Sequence, residues 1–136
     1  MAKDKGRGLL LDIELDFDVL SELQDLDAEG SQAFFKHLVE LFINEANRHL
    51  VDLRGSLDPL VPESAARLVH RLRSSSANLG AVSFAKLCER LEREIRSVAP
   101  ALPHLEELVQ QLETQLPQLE LALRQLVSGH RHRPAP

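Results

Sequence analysis

The sequence contains no tyrosine or tryptophan and only one cysteine, Cys88, in 136 residues. A single thiol excludes an intramolecular disulfide and any paired-cysteine metal or redox site, which is typical of proteins from a reducing, intracellular compartment. No apolar run approaches the ~18 residues that a membrane span needs, and the first residues, MAKDKGRG, lack the hydrophobic stretch of a signal peptide. These absences predict a single cytoplasmic domain that does not enter a membrane.

The charged residues are distributed unevenly along the chain, whose formal net charge is −5. This acidic total argues against general nucleic-acid binding. Residues 8–35 contain eight acids and no Lys or Arg, whereas residues 64–88 contain no acid. The cations of that second segment are Arg67, Arg71, Arg73 and Lys86. The segment also contains His70, so any chemistry of this histidine is expected in a basic setting.

Apolar and acidic residues alternate in LDIELDFD, from Leu11 to Asp18. Alternation alone indicates a strand, but a single strand has no partner with which to pair. We therefore interpret the segment as an extended arm that leads to Asp16 or Asp18, the N-cap of a short first helix. Phe17, Leu20 and Leu23 are expected along one side of that helix.

Apolar residues then recur at three- and four-residue steps, which predicts four longer helices. The second helix is expected from Phe35 to Gly55, and the third carries His70 and ends at Leu79. The fourth is expected from Phe84 to Ile95 and the fifth from Leu105 to Leu126. Gly80 suits the left-handed residue after the third helix. The expected fold is all-α, an antiparallel four-helix bundle with an additional short N-terminal helix. We expect a flexible N-terminal tail over residues 1–10, the bundle over 11–128 and a disordered C-terminal tail over 129–136.

His70 is predicted to point away from the core. At ~100° per residue it lies about 160° from Leu72, the centre of the apolar stripe of its helix. Its helical neighbours on that face are Ala66, Ser74 and Ala77, a collar of small residues, with Arg67 and Arg73 at the sides. A solvent-exposed helix face with no functional role usually carries Glu, Lys and Gln instead. The small collar indicates a ring that another macromolecule must reach.

The pattern around His70 suits a nucleophile. An imidazole offers a lone pair near pH 7 without a separate base. No Asp or Glu lies within one turn of His70, so its helix supplies no carboxylate to orient the ring as in a hydrolytic triad. A phosphorylated imidazole carries negative charge, and Arg73 at i+3 is placed to bind its oxygens.

The segment HRLRSSSANLGA, from His70 to Ala81, resembles the histidine-containing phosphotransfer (HPt) family of bacterial phosphorelays. The family pattern is His, a variable residue, an aliphatic one, Lys, a small residue that is usually Gly, Ser and, after a gap, Leu/Ile-Gly-Ala. The segments KLCERLE from Lys86 and FFKHLVELFINEA from Phe34 look like its neighbouring helices, and the resemblance covers about Phe17 to Val127. It implies phosphoryl transfer through His70, with Arg73 in the position of the usual lysine and Ser74 in that of the usual glycine.

The resemblance implies a carrier that has no autokinase or ATPase activity of its own. Its partners would be receiver domains of a hybrid sensor histidine kinase and of a response regulator, and the chain would be a monomer. The sequence has no phosphate-binding loop and no acidic cluster near His70, so we expect no cofactor of its own and Mg²⁺ in the partner receiver. Arg67 and Arg71 are candidate docking residues. The alternative function is a helical adaptor that recruits signalling proteins without carrying phosphate.

Overall fold

The computed structural model describes residues 6–27 and 32–127, which form five helices and one strand pair. In chain order the elements are β1 (Arg7–Leu10), β2 (Ile13–Asp16), α1 (Phe17–Asp25), α2 (Ala33–Gly55), α3 (Pro62–Asn78), α4 (Val82–Ile95) and α5 (Leu102–Val127). The predicted helical bundle with a short N-terminal helix is confirmed. The predicted C-terminal tail lies outside the described residues.

Helices α2 to α5 enclose one aliphatic core. Helix α3 packs against α2 and α4, and α5 packs against the same two helices from the other side. Phe42 and Phe84 meet edge to face inside this core, with their ring centroids 6.3 Å apart. Such pairs add specificity to a core that is built mostly from leucine, isoleucine, valine and alanine. The packing of these helices therefore determines which side of α3 is buried and which side is exposed to solvent.

The apolar seam predicted for α5 is confirmed. Leu105, Val109, Leu112, Leu116 and Leu119 are all buried. Pro117 lies inside the helix on its exposed side, and the buried positions continue in phase beyond it. Neither α5 nor any other helix of the described ranges is long and apolar enough to cross a membrane.

The interpretation of Leu11 to Asp18 as an unpaired arm is wrong. Strand β2 has a partner, because β1 pairs with it antiparallel from Arg7 opposite Asp16 to Leu10 opposite Ile13. Residues 7–10 were assigned to the flexible tail, since RGLL shows no alternation of its own. The connecting residues Leu11 and Asp12 have φ of 52° and 65°. A type I′ hairpin turn needs positive φ at both central positions, which Asn-Gly usually signals and Leu-Asp does not.

The hairpin is attached to the turn between α3 and α4. The Asp16 N–H donates to the Gly80 carbonyl at 2.8 Å, and Leu15 forms an isolated β-bridge with Ala81. Asp16 also caps α1, since its Oδ1 accepts from the N–H groups of Asp18 and Val19. Ile13 and Leu15 are buried, which supplies the apolar contact that an isolated two-stranded hairpin lacks.

Replacing Gly80 with alanine is expected to lower the free energy of unfolding by about 1 to 3 kcal/mol. Gly80 has φ +76°, and an added Cβ would lie 2.9 Å from the Asp16 carbonyl oxygen, so the turn and the hairpin must separate. Chemical denaturation measures the change. Gly55→Ala is the matched control, because an added Cβ there meets no described atom within 4 Å. Equal stabilities of the Gly80→Ala protein and the parent would contradict the prediction.

Candidate functional site around His70

His70 lies on the open side of α3, as its helical position predicts. Its side chain is 51% exposed, whereas the adjacent Val69 and nearby Leu72 are buried in the core. The ring is thus held by a buried helix while about half of its surface remains accessible to a macromolecule.

A carboxylate from α4 contacts the ring. Oε2 of Glu92 lies 3.3 Å from Nδ1 of His70. Because an ionised carboxylate only accepts hydrogen bonds, the contact is a hydrogen bond in the tautomer that carries the proton on Nδ1 and the lone pair on Nε2. The sequence did not reveal this partner, because the helical position of His70 relates it only to residues of α3. The signal was available, however, because Glu92 ends the KLCERLE segment.

Two arginines share Glu92 with His70. Nε of Arg96, one turn further along α4, lies 3.3 Å from Oε2, and Nη1 of Arg73 lies 3.6 Å from Oε1. Oε1 is buried and has no hydrogen-bond partner among the described residues, so its contact with Arg73 is an ion pair without a hydrogen bond. The two cations outnumber the single carboxylate, so the cluster carries an excess positive charge beside His70.

The predicted collar is only partly open. Ser74 and Ala77 are exposed, as expected, but Ala66 is buried at 3% exposure. Its assignment to an accessible collar is therefore wrong. Ala66 and Ile95 line the same cleft, so the end of α4 covers this part of α3. A helical projection of α3 alone contains no information about that neighbour.

The three serines after Arg73 have different environments. Ser76 is fully buried, and its hydroxyl donates to the carbonyls of Leu72 at 2.6 Å and Arg73 at 3.1 Å. These hydrogen bonds satisfy the hydroxyl inside the core. Ser75 is half-buried beside a groove between α2 and α3, and Ser74 remains at the surface. Only Ser74 is therefore placed to affect access to His70.

Arg67 and Arg71 are both exposed on α3. Burial lowers the pKa of His49 on α2, and the positive charges of Arg48 and Arg71 act in the same direction. His49 consequently stays neutral near pH 7, and the arginines supply the positive charge of this edge.

Cys88 is a structural thiol of the core. It is fully buried, and burial raises the pKa of the thiol to about 12. It therefore has almost no reactive thiolate at neutral pH. Within residues 6–27 and 32–127, no three His, Cys, Asp or Glu side chains are grouped as a metal ion would require.

The fold and the site define a helical bundle that carries one half-exposed histidine in contact with a carboxylate. The Hpt domain family matches residues 37–128, which contain His70, Arg73 and Glu92. The chain belongs to the Hpt domain family. Helix α1 and the hairpin precede the matched residues.

Similar proteins occur in plants, fungi and bacteria. Histidine-containing phosphotransfer protein 1 of Arabidopsis thaliana is 34% identical over 97 residues, which are 65% of this chain and 62% of that protein. Multistep phosphorelay regulator 1 of Schizosaccharomyces pombe is 30% identical over 78 residues, covering 57% of this chain and 26% of the regulator. The chain thus spans less than two thirds of these relatives. The crystal structure of histidine-containing phosphotransfer protein B from Pseudomonas aeruginosa has the same fold, with a TM-score of 0.72, 24% identity and coverage of 86% of this chain and 96% of that one.

Proposed function

We propose that the protein is a phosphorelay carrier that accepts a phosphoryl group on His70 and passes it on. The Nδ1 contact with Glu92 carries this proposal, because it leaves the Nε2 lone pair as the nucleophile on a half-exposed ring. Nε2 attacks the phosphorus of a receiver aspartyl phosphate, the N–P bond forms, and the P–O bond breaks as the aspartate carboxylate leaves. Transfer to a second receiver reverses these steps, with its aspartate as the nucleophile.

Glu92 orients the ring in both directions of transfer. After phosphorylation at Nε2, the proton on Nδ1 makes the ring cationic, and the adjacent carboxylate stabilises that charge. Arg73 is 39% exposed at 3.6 Å from Glu92. It is therefore placed to exchange part of its contact with Glu92 for the oxygens of the incoming phosphoryl group.

Replacing Glu92 with leucine is expected to slow phosphoryl transfer about tenfold or more, because the ring loses its orientation. Glu92→Gln keeps an oxygen that accepts from Nδ1 and is expected to restore most of the rate.

Arg73→Ala should slow transfer by only a few fold, since an exposed ion pair contributes about 0 to 1 kcal/mol. Rapid-quench transfer assays measure the rates, and thermal melts check folding. Equal transfer rates for Glu92→Leu and Glu92→Gln would exclude an orienting role.

The partners that fit this chemistry are receiver domains of a hybrid sensor histidine kinase and of a response regulator. The receiver would supply the aspartate and Mg²⁺, and the carrier would need no cofactor and no autokinase or ATPase activity of its own. We place the reaction in the cytoplasm and expect the carrier to act as a monomer. Sedimentation equilibrium with and without a receiver tests the monomer and the 1:1 complex.

An apolar groove beside α3 is the candidate centre of receiver docking. It has a volume of about 340 Å³ and is lined by Leu23 of α1, Leu38, Leu41 and Phe42 of α2, and Leu79 after α3. Leu41 is 47% exposed and the nearby chain also exposes Phe34 at 42%. Modest, transient interfaces have such apolar centres with polar rims.

Amide shifts measured with a receiver domain are expected to concentrate on His70, α1 and α2. The amide signals of residues near the groove should shift most, because the bound receiver removes these residues from water. Shifts confined to α5 would contradict this docking surface. Leu41→Glu should weaken receiver binding without altering the melting temperature, because it puts a charge into the groove at an exposed position.

Acid-labile phosphate distinguishes the carrier from the adaptor. After incubation with a phosphorylated receiver and Mg²⁺, the chain should carry phosphate that survives alkali and is lost in acid, as expected for an N–P bond. An adaptor would bind receivers without acquiring any label. Binding without label across a full panel of receivers would therefore favour the adaptor.

A further inference from the structure

A cleft beside His70 is formed jointly by α3, α4 and the N-terminal hairpin. Its volume is about 320 Å³, and its lining includes Arg7 of β1, Asp16 of β2, Arg73 and Ala77 of α3, and Lys86 and Glu89 of α4. The hairpin precedes the residues that match the family. One wall of the cleft therefore lies outside the residues that match the family.

The cleft opens on the same side of α3 as His70. At ~100° per residue, Arg73 and Ala77 lie about 60° and 20° from His70 around the helix axis. At ~1.5 Å per residue, they lie about 5 and 10 Å further along it. A protein partner that covers ~800 Å² centred on His70 extends about 16 Å in each direction. A receiver that docks on His70 therefore also covers this cleft.

The charges of the cleft favour an anion. The two carboxylates in its lining already have partners: Asp16 accepts the capping N–H groups of α1, and Glu89 pairs with Arg93 at 3.3 Å. Three cations, Arg7, Arg73 and Lys86, also line the cleft, and Arg73 already pairs with Glu92 at 3.6 Å. Lys86 contacts Glu14 at 3.3 Å with 61% of its side chain exposed, and Arg7 has no carboxylate partner among the described residues. An additional carboxylate can therefore bind without displacing a strong pair.

We propose that this cleft binds an acidic side chain of the receiver domain that docks on His70, and that Arg7 helps to select the partner. The inference rests on the proposed function, because it identifies the occupant as a receiver. The β1–β2 ladder holds the Arg7 backbone opposite Asp16, and the link from Asp16 to Gly80 fixes this pair beside α3. Because Arg7 is exposed, its charge acts mainly on the rate of association.

Charge reversal at Arg7 tests the proposal. The probe is the unphosphorylated receiver domain that transfers phosphate to the parent chain fastest or, if none transfers, the one that binds most tightly. Arg7→Glu is expected to lower the association rate about three- to tenfold at 0.02 M salt, and the difference should largely disappear at 0.5 M. Arg7→Gln should show a smaller change in the same direction. The transfer rate within the bound complex should stay at the parental value.

Lys36→Glu is the matched control, because it changes the net charge equally. Lys36 is exposed on the side of α2 opposite the apolar groove, at about 180° from Glu45. Parental amide spectra of the variants confirm that the hairpin is intact. Equal effects of Arg7→Glu and Lys36→Glu, or no effect of Arg7→Glu, would overturn the proposal. If receiver binding depends on Arg7 but no receiver phosphorylates the chain, the carrier function would be overturned. The proposal that the cleft binds a receiver would then still stand.

Discussion

Replacing His70 with glutamine is expected to abolish phosphorylation of the chain. Glutamine fills a similar volume but has no ring nitrogen that can attack a phosphoryl group. Because the side chain is about half exposed, the free energy of unfolding should change by no more than about 0.5 kcal/mol. Labelling by a phosphorylated receiver, followed by acid and alkali stability tests, measures the effect.

Two other histidines provide controls for that experiment. His49 is partly covered beside arginines, and His104 lies 3.9 Å from Glu94 with 45% of its side chain exposed. His49→Gln and His104→Gln should both retain parental labelling. Substantial acid-labile phosphate on the His70→Gln protein would show that the assignment of the nucleophile is wrong.

Replacing Ser74 with leucine is expected to reduce phosphoryl transfer about tenfold or more. Helical side chains lean toward the N-terminus, so the residue at i+4 lies over the residue at i, and Ser74 is exposed above the His70 ring. A leucine side chain there obstructs the in-line approach of the receiver aspartyl phosphate. Leucine is also the better helix former, so helix stability should be maintained or slightly raised. Rapid-quench transfer assays and melting curves measure the two effects separately.

Ser74→Gly provides the opposite change at the same position. Removing the side chain should keep or increase the transfer rate, while the lower helix propensity of glycine reduces stability by a few tenths to about 1 kcal/mol. Access and stability are thus expected to change in opposite directions in the two variants. A Ser74→Leu protein that transfers phosphate at the parental rate would show that this collar position has no role in access.

The helices could be predicted because their signals are local. The apolar steps that give α2, α4 and α5 recur within each segment, and Gly80 has the left-handed φ expected after α3. The hairpin could not be predicted in the same way. Its turn residues lack the usual glycine or asparagine signal, and its stability depends on the docking of β2 on the turn before α4.

The features of the candidate site also separate into those that follow from one helix and those that depend on packing between helices. The exposure of His70 and Ser74 follows from their positions relative to Leu72 on one helix. The burial of Ala66 and the contact of Glu92 with His70 depend on how α4 crosses α3, which no pattern within α3 specifies. The pairing of Arg73 with Glu92 has the same origin, and it changes Arg73 from an isolated cation into one member of a shared ion-pair cluster.

The sequence by itself determined the helical bundle, the helix that carries the histidine and the side of that helix on which His70 lies. These properties follow from the 3.6-residue period, which relates each residue to neighbours only one turn away. Only the tertiary structure decided which carboxylate contacts His70, which collar residue is covered and which cations line one cleft with Arg7. Those properties join residues that are distant in the chain, and packing in three dimensions alone brings such residues into contact.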